Sequence, residues 1–113
     1  MTVLGTPYRL GATSYVWPAG LLPNIRKLGP LVDDVELVLF EVDGYSNLPD
    51  AASVAELNAL ADTHDLTYTV HLPLDLTLAR PRSLEEAEKV IACTRDLEPW
   101  AYVLHLDGRQ PVA

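Results

Sequence analysis

The chain has 113 residues, 49% of them apolar and 21% charged, the balance of a single folded domain with a core of its own. Sixteen acidic residues against eight basic ones leave a net charge of -8, which repels a phosphate backbone and an anionic lipid surface and so excludes nucleic acid and membrane as expected partners. No apolar run approaches the roughly 18 residues of a membrane helix, the N-terminus lacks the basic start and apolar stretch of a signal peptide, and Cys93 has no second cysteine to pair with, so a cytoplasmic, reducing location is expected.

Taken in order, the elements alternate. Tyr8 to Ser14 is a short apolar stretch that reads as a first strand. Leu21, Leu22, Ile25 and Leu28 recur at helical spacing, with Pro23 suited to the first turn, Gly29 to the left-handed position after the last turn, and Pro30 to the stop. Val35 to Phe40 is apolar apart from Glu36, the pattern of a strand covered on both faces. The stretch Asp43 to Pro49 is rich in turn residues. Ser53 and Glu56 have the spacing of a capping box for a second helix, with Val54, Leu57, Leu60 and Ala61 as its apolar stripe. Leu66 to Leu72 is a third strand, ended by Pro73. A loop over Asp75 to Arg82 leads to a third helix, for which Ser83 and Glu86 repeat the capping box and Ala87, Val90, Ile91 and Thr94 form the stripe. Trp100 to Leu106 is a fourth strand, and Asp107-Gly108 turns the chain out of it.

Strict β-α-β-α-β-α-β order predicts a parallel sheet with right-handed crossovers. Corresponding strand ends, at Glu41, His71 and His105, recur about every 30 residues, close to the roughly 31-residue unit of an eight-stranded (β/α) barrel. The expected fold is therefore α/β, the N-terminal half of a TIM barrel with four parallel strands, residues 1–113 forming one partial domain. An open doubly wound sheet is the structural alternative; it ranks lower because the first loop carries no glycine-rich phosphate fingerprint.

In such folds the active site lies at the C-terminal strand ends. Ser14 stands there on strand one, Glu41 on strand two, His71 with Asp75 just beyond on strand three, and His105 with Asp107 on strand four. A lone histidine near a strand end is more often a satisfied, half-buried residue than a ligand. Two at successive strand ends are harder to dismiss, because neighbouring strands lie about 4.8 Å apart and bring both imidazoles within reach of one metal. Glu41 is either a catalytic carboxylate or one that is solvated or salt-bridged to a neighbouring loop. Ser14, Trp17 and Asp75 are candidates for substrate contact, Trp17 by stacking on a planar ligand or, in the duller alternative, plugging the barrel mouth. His64, in the last turn of helix two, suits the helix dipole, and Cys93 reads as a small packing residue.

Val70-His71-Leu72-Pro73 and Leu104-His105-Leu106 resemble the xylose-isomerase-like and endonuclease-IV-like metal-dependent barrels. More narrowly, Arg9 to Pro18 leading to Leu22-Pro23-Asn24, Leu31 to Glu41, and Leu66 to Asp75 resemble the cobamide-remodelling phosphodiesterases. The resemblance spans nearly the whole chain. It implies a hydrolase that cleaves a phosphodiester in the nucleotide loop of a cobamide, with His71 and His105 as ligands of a divalent metal and Glu41 at the acidic end of strand two. Strands five to eight, which carry further ligands in that superfamily, are absent here, so the chain as it stands is expected to be incomplete as an enzyme. A divalent metal neutralises a phosphoryl oxygen and activates water; histidine with carboxylate suits zinc, manganese or iron. Asp75 or Asp107 could orient a ligand imidazole. The rival reading is a sugar or sugar-phosphate isomerase or epimerase on the same scaffold, which needs a carboxylate pair for proton transfer at carbon. Unpaired sheet edges and an apolar inner face predict a homodimer, in one form completing a pseudo-barrel, or else poor solubility.

Overall fold

The computed structural model describes residues 2–74, 76, 77 and 80–105. Four strands, β1 (Gly11–Thr13), β2 (Asp34–Val38), β5 (Thr67–His71) and β6 (Tyr102–Val103), form one sheet in the order β1-β2-β5-β6, and every pairing is parallel. Between them run α1 (Leu21–Leu28), α2 (Ala51–His64) and α3 (Pro81–Thr94), the last continued by a 3-10 turn over Arg95–Leu97. The strand order follows the chain order without reversal once a small hairpin, β3 (Glu41–Val42) with β4 (Tyr45–Ser46), is set apart. That hairpin replaces part of the expected turn-rich loop. Asp43 and Gly44 both have positive φ, 50° and 79°, the two-residue turn for which Asp-Gly is suited.

One face of the sheet builds the core. Val35, Leu37 and Leu39 alternate along β2 and past its end, and Leu66, Tyr68, Val70 and Leu72 do the same along β5. All are buried, in one cluster with Ile25 and Leu28 of α1, Leu57 of α2 and Val90 of α3. Two hydroxyls tie helices to strands within this layer. Tyr68 donates to the Leu57 carbonyl at 2.7 Å, and Thr94 lies 2.9 Å from the Tyr102 hydroxyl.

The opposite face corrects two expectations. The Val35–Phe40 run is not covered on both sides: β2 alternates strictly between buried and half-buried residues, as does β5. Nor is the open face apolar. In register across the strands it presents Gly11, Asp34 and Thr67, then Thr13, Glu36 and Thr69, and only at the C-terminal end Val38, His71 and Val103. Asp34 accepts from the Thr67 and Thr69 hydroxyls at 2.7 and 3.0 Å. The helices cover one face only, so the other is free to be polar.

The helix starts and one stop also differ from expectation. α2 begins earlier, capped by Asp50, whose carboxylate accepts from the Ser53 amide at 2.8 Å; Ser53 is the third helical residue, not the cap. α3 begins at Pro81, which suits the first helical position because it has no amide proton to satisfy. Ser83 instead lies buried and accepts from the Thr77 amide at 2.9 Å. Gly29 closes α1 with right-handed φ of -47°, so left-handed freedom is not its purpose. Its role is room: a Cβ there would lie 2.6 Å from Cδ2 of His64.

Candidate functional site

His71 is the last residue of β5, half-buried on the open face and in register with Val38 and Val103. His105 lies two residues beyond β6 and is exposed. The two-residue period of a strand returns side chains to the same face, so a chain leaving β6 near strand geometry carries His105 to the side of the sheet that His71 occupies. The two rings stack with centroids 4.8 Å apart and planes 27° apart.

The local bonding of His71 suits a ligand. Its Nδ1 lies 2.5 Å from the Leu72 carbonyl oxygen. A carbonyl can only accept, so in the neutral ring Nδ1 carries the proton and Nε2 has the lone pair, the arrangement common in metal-binding imidazoles. The donor set fits a metal in part. The pair supplies two nitrogens, and among the described residues no group of three or more His, Cys, Asp or Glu side chains is placed to hold an ion. Asp75 and Asp107 lie outside the described residues.

Glu41 opens β3, three residues past the end of β2, and is exposed. Lys89 of α3 reaches its carboxylate at 2.7 Å. That hydrogen bond first, and one from Ser46 second, hold Glu41 below the usual carboxylate range. Glu41 and His71 border the same depression of about 330 Å³, floored by Val38 and Leu72.

Ser14 is buried. Its amide donates to the Glu36 carbonyl and its hydroxyl accepts from the Val38 amide, both at 2.9 Å, so it extends the β1–β2 ladder by one side-chain bond. Trp17 is half-buried against the core, with the Lys27 ammonium 5.0 Å from its ring centroid. His64 packs its ring on Gly29. Cys93 is half-buried, and burial pushes its thiol up.

Two asparagines shape the rim and were not singled out by sequence reasoning. Asn24, fully buried on α1, accepts from the Val16 and Trp17 amides and donates to the carbonyls of Trp17, Ala19 and Gly20. It fixes the whole β1–α1 loop. Asn47 accepts from the Phe40 amide at 2.7 Å and donates to the Val38 carbonyl at 2.8 Å, tying the hairpin to the end of β2. Between these two loops lies a cavity of about 630 Å³. The signal for the hairpin was present in Asp43-Gly44; nothing local marks Asn24, because its partners become neighbours only once the loop has folded back.

None of the described helices is long and apolar enough to cross a membrane. Comparison with protein-family models, with curated proteins and with solved structures returned no match.

Proposed function

We propose that this chain is one side of a (β/α) barrel of the xylose-isomerase-like kind and that its histidine pair holds a divalent metal for hydrolysis of a phosphodiester in the nucleotide loop of a cobamide. The observation that carries the reading is the stacking of His71 and His105 at the C-terminal ends of adjacent parallel strands. Sequential strand order with helices on one face supports the barrel arc over a doubly wound sheet, which reverses its order and covers both faces.

In this reading His71 would hold the ion through Nε2, oriented by its Nδ1 contact with the Leu72 carbonyl, and His105 would supply a second nitrogen. The metal, zinc, manganese or iron, supplies charge neutralisation at a phosphoryl oxygen and acidification of water. Glu41, which borders the same depression as His71, would be the carboxylate that takes up a proton. Hydrogen bonds from Lys89 first and Ser46 second hold its carboxyl below the usual range, which makes it a weaker base than a free glutamate.

The test is turnover of a cobamide by the full-length protein with each metal, for wild type, His71→Ala and His105→Ala. Metal-dependent cleavage at the nucleotide loop, lost in both variants, is the expected result. Metal dependence together with isomerisation of a sugar phosphate, and none on the cobamide, would keep the metal site and overturn the reaction.

A further inference from the structure

The 630 Å³ cavity lies between the β1–α1 loop and the β3–β4 hairpin, and its size falls within the range of small-molecule sites. Its walls are mainly apolar, with Leu21 and Val38 among them, and three aromatic rings line it: Tyr15 from the loop, and Phe40 and Tyr45 on the hairpin side. Phe40 and Tyr45 stack on each other, centroids 5.6 Å apart and planes 25° apart, so that Phe40 backs the Tyr45 ring as a platform that offers one outer face. Tyr15 and Tyr45 are 66% and 63% exposed, large aromatic surface left facing solvent at the mouth of a cavity. The hydroxyls of Thr13, Tyr15 and Tyr45 make no hydrogen bond among the described residues, and none of the lining side chains is charged.

We infer that this cavity binds a neutral, planar aromatic ring system, stacked on the tyrosine platform and hydrogen-bonded at its edge by the free hydroxyls. A charged ring would be desolvated there with no counter-charge, at a cost that favours rejecting it. A puckered aliphatic ring of equal size would fill the volume without matching the flat faces. Both loops are held by buried or half-buried asparagine amides, so the platform is formed before a ligand arrives. Val38 lines the cavity and is the register partner of His71. A substituent on the bound ring would therefore leave the cavity towards the histidine pair. The site uses no metal ligand and stands whether or not the metal reading holds.

Calorimetric titration with indole, cyclohexanol and benzoate tests it. Indole should bind saturably at one site per chain, and cyclohexanol and benzoate at least about 5-fold more weakly. Tyr15→Leu and Tyr45→Leu, both at exposed positions that leave the core intact, should each weaken indole by about 5-fold, while Tyr45→Phe, which keeps the ring and loses one hydroxyl, should weaken it less. His71→Ala should leave indole binding unchanged. Equal affinity for cyclohexanol, or indole binding indifferent to both leucine variants, would overturn the inference; loss of metal binding with indole binding intact would leave it standing and remove only the metal reading.

Discussion

Replacing Asn24 by alanine removes the amide that organises the loop after β1. The side chain is fully buried and makes five hydrogen bonds between 2.9 and 3.2 Å, two as acceptor and three as donor. Val16 is exposed and Trp17 half-buried, so water recovers part of what their amides lose. The carbonyls have a second lone pair and lose less. Counting about 1 kcal/mol for each orphaned amide and about 1 kcal/mol for the three carbonyls and the vacated volume together gives a loss of about 3 kcal/mol. For a chain of this length that lowers the melting temperature by roughly 12 °C. Circular dichroism melts of wild type, Asn24→Ala and Asn24→Asp provide the assay. The aspartate keeps both acceptor bonds but turns a carboxylate oxygen towards three carbonyls, so it should be at least as destabilising at neutral pH and recover on acidification towards about pH 4. A melting temperature within about 2 °C of wild type for the alanine variant would refute the argument that this one amide holds the loop.

Gly29→Ala should destabilise by about 1–2 kcal/mol because its Cβ meets the His64 ring; in a His64→Ala background the same change should become neutral or mildly stabilising, since φ there is right-handed. A cost that persists undiminished without the ring would place the strain elsewhere. Asp33, at the opposite end of the sheet, accepts from the Leu10 and Val3 amides at 2.7 and 2.6 Å, and those bonds, that of Leu10 foremost, hold its carboxyl below the usual range. A lowered folded value contributes stability above the unfolded value, near pH 4, which is lost as pH falls through the folded one. Asp33→Asn should therefore be less stable at neutral pH and show a shallower acid limb in urea melts across pH 2–6; an unchanged limb would exclude Asp33 as its source. Self-association should run through the sheet edges, β1 and β6, because the open face carries Asp34 and Glu36 and repels its own copy. Sedimentation should show a dimer little affected by Glu36→Ala, and a stable monomer at high micromolar concentration would contradict it.

The fold was legible where burial is simple. Among the described residues, apolar spacing located the three α-helices and the four strands of the parallel sheet, because each must turn one stripe or face to the same core. Boundaries and caps were less legible. Ser53 and Ser83 fit a capping pattern, but Asp50 and Pro81 each offer a start one turn or less earlier, and tertiary packing chose it. Glu36 signalled that β2 has a polar face, yet Val38 and Phe40 beside it gave the run an apolar look. The site divides in the same way. His71 and His105 stand out because strand ends are countable from the sequence. Asn24, Asn47 and the tyrosine platform do not, because each depends on two loops meeting. The Lys89 partner of Glu41 lies 48 residues away and reaches it only through the packing of α3 beside the hairpin.

We propose that His71 and His105 act together as metal ligands. Equilibrium titration of the metal-free chain with zinc and with cobalt measures this directly, using wild type, His71→Ala, His105→Ala and, as a control, Cys93→Ser. One ion should bind per chain, with either histidine variant at least about tenfold weaker and the cysteine variant unchanged. Wild-type affinity retained in both histidine variants would contradict the account, because the stacked rings would then be a packing contact and nothing more.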